Sequence, residues 1–350
     1  MLLYIHIPFC DSKCHYCSFN SYVDKFHLKE QYMSSLSIQL KHELKRFAVS
    51  SKEIESVFIG GGTPSTVKPI HYKDIFDILK DHLAPDIEIT SEANPNSATQ
   101  EWLKGMYELG VNRISFGVQS FDKEKLRLLN RSHSDTQAKE AVLNAKKAGF
   151  KNISIDLIYA TAADTKKLLK HDLDTAFSLP INHISAYALS IEEGTPFASR
   201  PYMSKENLDM TSKLFKEIER SGFKQYEISN FGSYRSTHNL GYWQYKDYMG
   251  VGSGAVGKLG LQRYYPSSVV EEYIKDPLNI RVEELTLEDK KTERIFLGFR
   301  SCIGVSSDIL NKEETSRALL LVDEKKLTFE NDTFYNTDYL LADEIALFIS

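Results

Sequence analysis

The chain has 350 residues, of which 42% are hydrophobic and 26% charged, and its formal net charge is −5. These proportions are typical of a globular protein, and the length suffices for one large α/β domain and a smaller one. The charge gives no basic footprint for nucleic acid, and no apolar run approaches the roughly 20 residues of a membrane span. The first cysteine is residue 10, which leaves no room for a signal peptide, so we expect a cytoplasmic protein.

A short strand is predicted at residues 2–7, ended by Pro8, and the cysteines follow it. Cys10, Cys14 and Cys17 form a CxxxCxxC motif. Thiolates favour an iron–sulfur cluster or zinc. A cube held by three thiolates leaves one iron open, whereas structural zinc takes four protein ligands, which His6 or His15 would have to complete. The spacing favours the cluster, while zinc and ordinary buried cysteines stay open as alternatives.

Strands and helices then alternate as far as about residue 190. Further strands are predicted at 56–59, 87–92, 111–118, 153–159 and 181–189, and helices at 28–47, 72–82, 135–148 and 165–177. Such alternation predicts an α/β fold with a parallel sheet and outer helices. Polar residues follow several of the strands, and this is the edge where α/β barrels place their sites.

Three of these strand ends carry candidate site residues. A glycine run, residues 60–62, follows the second strand and lets backbone N–H groups approach an anion or carboxylate, although such a run also makes plain turns. Glu92 ends the third strand and is either a ligand contact or simply solvated. Asp156 lies inside an apolar run, which is costly without a partner or ligand.

The last 150 residues are less regular. A helix is predicted at 205–221, and His238 follows in an aromatic-rich stretch, where it is either a haem ligand or a structural loop histidine. The segment 281–350 is predicted to be small and mainly helical, with helices at 288–299 and 306–310, a winged hairpin from 319–322 and 327–329, and a closing helix from Asp338. Cys302 is predicted to be a small, buried hydrophobic residue.

The residues around the cysteines, LYIHIPFC and CHYCSF, resemble the opening of radical S-adenosylmethionine (SAM) proteins. The resemblance is strongest to the oxygen-independent coproporphyrinogen III oxidase-like group, which includes a haem-chaperone branch. It implies an open partial (β/α)6 barrel with a small C-terminal, mainly helical domain. In that superfamily SAM chelates the open iron of a 4Fe–4S cluster, and an electron from the cluster cleaves SAM to a radical.

Further motifs extend the resemblance along the chain: GGGTP, EANP, GVQSF, LNRSH and HNLGYW. They imply that Cys10, Cys14 and Cys17 bind the cluster and that His238 is a haem ligand. They also imply a SAM site formed by eight residues: Tyr4, Gly61, Gly62, Thr63, Glu92, Gln119, Arg131 and Asp156. One segment departs from the family, because relatives continue DLIYGLPGQT where this chain reads DLIYATAADT, so the glycine–proline turn over 160–164 is lost.

The resemblance divides the chain into a radical SAM barrel with the cluster and SAM site (1–200), an extension with the HNxxYW motif (201–280) and a C-terminal domain (281–350). It implies a haem chaperone that binds haem, SAM and the cluster and delivers haem to an acceptor of the respiratory chain; a homodimer is compatible with it. The alternative is an oxygen-independent coproporphyrinogen III dehydrogenase, which makes protoporphyrinogen IX, so whether the chain is an enzyme stays open.

Three features favour the chaperone. Dehydrogenases of this group carry a fourth cysteine where this chain has Phe19, and an N-terminal extension ahead of the motif, whereas the cysteines here begin at residue 10. The third feature is the HNxxYW motif, which the chaperone branch shares.

Overall fold

The computed structural model describes all residues, 1–350. Its centre is a sheet of 12 strands in the order β12-β11-β10-β9-β1-β2-β3-β4-β5-β6-β8-β7. The strands of the barrel wall are β1 Leu2–Ile7, β2 Ile54–Gly61, β3 Leu83–Ala93, β4 Arg113–Gln119, β5 Asn152–Tyr159 and β6 His183–Ala188. The flanking strands are β7 Lys224–Gln225, β8 Asn230–Gly232, β9 Tyr248–Val251, β10 Gly257–Leu259, β11 Gln262–Pro266 and β12 Ile280–Glu284.

Strands β1 to β6 are parallel, which confirms the predicted six-stranded barrel wall. The sheet is wider than predicted, since β9 adds a further parallel strand beside β1 and antiparallel strands continue both edges. The helices are α1 Lys29–Arg46, α2 Lys73–Leu79, α3 Gln100–Glu108, α4 Lys123–Leu128, α5 Asp135–Ala148, α6 Lys166–Phe177, α7 Leu208–Arg220, α8 Thr237–Trp243, α9 Val270–Lys275, α10 Leu287–Phe299, α11 Lys312–Asp323 and α12 Ala342–Ile349.

Local signals explain where several elements begin and end. Helix α5 has the predicted bounds because Ser134 and Gln137 form a capping box and Gly149 ends the helix at a φ of 110°. Helix α3 was not predicted, although Thr99 caps it by accepting a hydrogen bond from the Trp102 N–H. None of the helices is both long and apolar enough to span a membrane.

The main hydrophobic core contains 54 buried residues from the sheet and its outer helices. A separate core of 10 buried residues lies between Ile295 and Ile349. In this C-terminal region the prediction of a strand at 319–322 was wrong, because these residues lie in α11. The wing is formed instead by β14 Leu327–Glu330 and β15 Thr333–Asn336, with β13 Val305–Ser306 beside it.

The strand register gives the barrel two ends. At the carboxyl ends of the parallel strands Ile7 lies opposite Gly61, and Glu92 is near the end of β3; we call this end the mouth. At the amino ends Leu2 pairs with Ser56 on one side and with Tyr248 on the other; we call this end the floor. Helix α8 packs against the floor so closely that a Cβ at Gly241 would lie 2.5 Å from a methyl carbon of Leu2.

Candidate functional site

The cysteine loop begins where β1 ends and is held together by hydrogen bonds between its own residues. The N–H of Cys10 donates to the Tyr22 carbonyl at 3.0 Å. Lys13 links the two halves of the loop, because its Nζ donates to the carbonyl of Phe19 and to Oγ of Ser21, both at 2.7 Å. These contacts fix the shape of the loop that carries the cysteines at the barrel mouth.

A cavity of about 380 Å³ opens at this mouth, a size typical of a small-molecule site. It brings together every predicted cluster and SAM residue except Tyr4, which lies deeper. The predicted residues that line it are Cys10, Cys14, Cys17, Gly61, Gly62, Thr63, Glu92, Gln119, Arg131 and Asp156. They meet because the carboxyl ends of parallel strands share one edge of a sheet.

The three thiols are free, and two of them face polar donors. Nη1 of Arg131 lies 3.2 Å from Sγ of Cys14, and Oγ1 of Thr63 donates to Sγ of Cys10 at 3.4 Å. Burial raises the pKa of both Cys10 and Cys17. The chain contains no ready-made group of three His, Cys, Asp or Glu metal ligands. A soft donor set with a guanidinium beside it fits an iron–sulfur cluster, whose properties depend on hydrogen bonds to sulfur.

The zinc alternative loses one of its two histidines. Both ring nitrogens of His6 are occupied, since Nδ1 pairs with the Tyr4 hydroxyl at 2.9 Å and Nε2 with the Asn20 carbonyl at 2.8 Å. His15 lies at the other side of the loop, and its Nδ1 pairs with the Leu128 carbonyl at 3.0 Å. His6 therefore has no free nitrogen for a metal.

The N–H groups of the glycine run are paired within the protein. The Gly61 N–H donates to a carboxylate, that of Glu92, at 3.1 Å, which is the kind of group that the run is predicted to approach. The Gly62 N–H donates to the Ile7 carbonyl at 2.8 Å and the Thr63 N–H to the Phe9 carbonyl at 2.7 Å. The glycines also permit close packing: Gly61 has a φ of 109°, and a Cβ there would lie 2.4 Å from the His6 ring.

Two half-buried carboxyl groups form the inner wall of the cavity. Burial and the nearby Asp156 raise the pKa of Glu92 to about 8, although the Gly61 N–H and the charge of Arg113 oppose the rise. Burial also raises the pKa of Asp156, whose carboxylate accepts a hydrogen bond from Oγ of Ser115 at 3.3 Å. Such groups favour a ligand that brings positive charge or hydroxyl donors. The ammonium, sulfonium and ribose hydroxyls of SAM meet this requirement.

The opposite wall depends on a residue that was not predicted. Nη2 of Arg131 donates to the Gly117 carbonyl at 2.6 Å and to Oδ1 of Asn94. Gln119 lies beside them with a φ of 66°, a left-handed conformation that is uncommon for a residue with a side chain. Asn94 belongs to the EANP motif, so the sequence contained a signal for it.

The altered loop at 160–164 keeps a turn without glycine. Ala160 adopts a φ of 59°, and the Asp164 carboxylate accepts the Thr161 N–H at 2.8 Å. The fully buried Lys125 pairs with Asp164 at 2.7 Å and with Asp172 at 3.6 Å. This ion-pair cluster fixes the loop, and no residue of the loop lines the mouth cavity.

His238 lies at the floor, away from the mouth cavity. It belongs to α8 and is 1% exposed. The alternative that it is a structural loop histidine is therefore corrected, because it lies in a helix. Its Nδ1 pairs with Oγ of Ser56 at 2.8 Å, and its ring stacks on Phe58 at 5.1 Å and meets Tyr242 edge-on at 4.7 Å. Burial and the charge of Arg113 lower the pKa of His238 to about 3, so the ring is neutral. Its Nε2 has no hydrogen-bond partner.

Glu88 holds the start of α8 at the floor. Its carboxylate accepts hydrogen bonds from the Tyr234 hydroxyl at 2.6 Å and from Oγ of Ser236 at 3.1 Å. It also accepts the backbone N–H groups of Thr237 at 2.9 Å and His238 at 3.1 Å. A carboxylate at a helix N-terminus satisfies orphan N–H groups and complements the helix dipole.

Known proteins resemble this chain in both sequence and fold. Residues 4–176 match the Radical SAM superfamily model. "Heme chaperone HemW" of Bacillus subtilis is 35% identical over 320 residues, covering 87% of this chain and 84% of that protein. "Heme chaperone HemW" of Lactococcus lactis is 34% identical, covering 86% of this chain and 82% of that protein.

A solved structure supports the same fold. Coproporphyrinogen III oxidase (HemN) from Escherichia coli, described as a radical SAM enzyme, superposes with a TM-score of 0.83 and covers 99% of this chain and 89% of its own. Its sequence identity is 20%, so the likeness concerns the fold alone. The two HemW relatives share far more sequence over most of their lengths, and the chain therefore belongs to the HemW family of radical SAM proteins.

Proposed function

We propose that this protein is a haem chaperone, which binds haem and a SAM-ligated 4Fe–4S cluster and delivers haem to an acceptor protein. The observation that carries the proposal is the sequence identity of about 35% with relatives named heme chaperones over more than four-fifths of their length. Phe19 supports it, because a phenylalanine that is 65% exposed stands where dehydrogenases of the related group carry a fourth cysteine.

In the proposed site, Cys10, Cys14 and Cys17 hold the cluster at the mouth. When bound, the cluster supplies an electron at the iron that SAM chelates. Arg131 and Thr63 place hydrogen-bond donors on the thiolate sulfurs.

The SAM side of the site consists of Gly61, Gly62, Glu92, Gln119 and Asp156. Glu92 and Asp156 offer acceptors on the inner wall, and the glycines let the cavity edge pack closely on His6 and on the backbone of Ile7 and Phe9. Tyr4 acts one layer deeper, by fixing His6 beneath Gly61.

His238 remains the proposed axial ligand of haem, but its burial means that haem binding there requires a movement of α8. The free Nε2 is enclosed, so iron reaches it only after α8 separates from Ser56 and Phe58. An equal haem affinity in His238→Ala would reject this role. Loss of affinity together with a changed Soret maximum would support it, because the axial ligand determines the haem spectrum.

A paired assay on anaerobically reconstituted protein tests the function. One arm supplies coproporphyrinogen III, SAM and an electron donor, and measures protoporphyrinogen IX by its oxidised fluorescent form. The other arm titrates haem and follows the Soret band. We expect saturable haem binding without decarboxylation. SAM-dependent decarboxylation would replace the proposal with the dehydrogenase alternative.

The acceptor is expected to be a haem protein of the respiratory chain. Transfer is measured by mixing the haem-loaded chaperone with a haem-free respiratory cytochrome and following the growth of the cytochrome spectrum. Ultracentrifugation with and without SAM tests the proposed homodimer. A constant sedimentation coefficient would exclude SAM-dependent dimerisation.

A further inference from the structure

A second cavity, of about 390 Å³, lies at the floor of the barrel, on the far side of the molecule from the cysteines. Helix α8, the strands β9 to β11 and helix α10 form its walls. Its aromatic lining includes Tyr242, Tyr245, Tyr248 and Phe296. None of these residues takes part in the mouth site, so the cavity needs an explanation of its own.

The rings in this cavity form a shaped aromatic surface. Tyr242 and Tyr248 meet at 4.8 Å with their planes at 88°, so one ring presents its face and the other its edge. Phe296 and Leu297 of α10 contribute apolar surface. Aromatic walls of this kind bury a planar apolar ring well, and the tyrosine hydroxyls leave a polar rim.

The same cavity is rich in cations. Lys246, Lys258, Arg263 and Arg300 line it, and Glu293 is its only carboxylate. Each cation has a carboxylate partner: Lys246 pairs with Glu55, Lys258 with Asp247, Arg263 with Glu293 and Arg300 with Asp343. Three of these carboxylates lie outside the lining and are 37% to 55% exposed. Exposed ion pairs contribute little net stability, so a ligand carboxylate can exchange with them at small cost.

The cavity adjoins the buried histidine of the HNxxYW motif through one shared ring. Tyr242 touches His238 on its inner side, at 4.7 Å, and faces the cavity on its outer side. His238 thus positions Tyr242 from behind. A ligand that binds against the outer side of Tyr242 does not require α8 to open. In this arrangement His238 supports the ring and does not ligate iron, so the cavity is an alternative to axial ligation by His238.

We propose that this floor cavity binds the ring of a carboxylate-bearing tetrapyrrole, with the carboxylates paired to Lys246 and Arg300. The proposal rests on the proposed haem-chaperone function and assigns haem a site separate from the cluster. It places the tetrapyrrole against Tyr242 and Tyr248, between the barrel floor and the C-terminal region.

Two variants of the full-length chain, prepared without reconstituting the cluster, test the cavity. Lys246→Gln combined with Arg300→Gln removes the two cations that pair with the ligand's carboxylates, and we expect haem affinity to fall about ten-fold or more, the usual scale for lost charged hydrogen bonds. Leu297→Trp fills the cavity without changing charge and should weaken binding similarly. The matched control is Arg281→Gln, an exposed arginine that stacks on Tyr265 outside the cavity.

Haem and iron-free protoporphyrin IX are titrated against each variant, with the Soret band and porphyrin fluorescence as readouts and thermal unfolding as a check of folding. Weaker binding of both ligands in the folded cavity variants, with Arg281→Gln unchanged, supports the site. Unchanged affinity in both cavity variants overturns it and leaves the chaperone function standing. Absence of haem binding in the unaltered protein would instead remove the proposed function, and the site with it.

Discussion

The mouth and the floor of the barrel both bury polar side chains, but they use them differently. At the mouth Glu92, Asp156 and the cysteines face an open cavity, and Glu92 has a pKa raised to about 8. At the floor Glu88 accepts four hydrogen bonds from one short segment of chain, and the imidazole of His238 is enclosed. The polar groups of the mouth therefore face space where a ligand can bind, whereas most polar groups of the floor are already bonded to α8.

This difference separates residues that a ligand touches from residues that hold the fold. A substitution at the mouth should change ligand binding and leave the fold intact. A substitution at the floor should change stability first. The following predictions test that division, from the largest expected effect to the smallest.

Replacing Cys14 by Ala should abolish the cluster's broad visible absorbance after anaerobic reconstitution, because two thiolates do not retain the cube. Cys302→Ala is the matched control, since Cys302 is the only other cysteine and does not line the cavity. Iron and sulfide analysis accompanies the spectrum. An unchanged spectrum in Cys14→Ala would sink the cluster assignment, and zinc without iron in the unaltered protein would restore the zinc alternative.

Lys125→Met tests the loop at 160–164, which lies outside the mouth cavity. The substitution leaves Asp164 and Asp172 as buried unpaired carboxylates, so we expect a loss of roughly 3–5 kcal/mol in the free energy of unfolding. Urea unfolding measures it. The double variant Lys125→Met, Asp164→Asn removes one of the stranded charges and should recover part of the loss. Equal stability of Lys125→Met and the unaltered protein would show that the ion pairs do not hold the loop.

Glu88→Ala tests the floor. It leaves four donors without an acceptor, and we expect a loss of about 3 kcal/mol or more in the free energy of unfolding. Glu313→Ala is the control, because the Glu313 side chain is 81% exposed and its loss should stay within about 0.5 kcal/mol. Reconstituted Glu88→Ala should still bind a cluster wherever it is folded. Loss of the cluster at unchanged stability would break the division between mouth and floor.

Much of the fold and the mouth could be predicted because the signals are local or follow from topology. Helix α5 carries its own capping box and its terminal Gly149. The mouth residues follow predicted strands, and parallel strands bring such residues to one edge. The partners of the Gly62 and Thr63 N–H groups could not be predicted, because these carbonyls, of Ile7 and Phe9, belong to a distant segment of the chain.

The floor could not be predicted in the same way. The contacts of His238 reach Ser56, 182 residues away, and no spacing in the sequence encodes such a pair. The error at residues 319–322 has a different cause, because a run of four apolar residues fits a helix and a strand equally well. The capping box of Asn311 and Glu314, which begins α11, was the signal that distinguishes them.

Glu227, in the turn between β7 and β8, provides the smallest and most specific test of a buried polar group outside the mouth cavity. It is 1% exposed, its Oε1 has no hydrogen-bond partner, and burial raises its pKa to about 7 from an ordinary value of 4.5. Because the folded pKa is the higher one, the folded state binds the proton more tightly. The contribution of Glu227 to stability is therefore greatest below about pH 4.5 and is lost as the pH rises to about 7.

Glu227→Gln cannot ionise, so it should match the unaltered protein near pH 4.5 and be more stable above pH 7. The difference between 4.5 and about 7 corresponds to a gain of at most about 3 kcal/mol. Urea unfolding between pH 4.5 and 8.5 measures it, and Glu219→Gln, at an exposed position of α7, provides a control that should show no such trend. A gain that does not depend on pH would mean that the amide packs better than the carboxylate. Only a gain that grows with pH shows that this turn holds Glu227 as a buried, protonated acid.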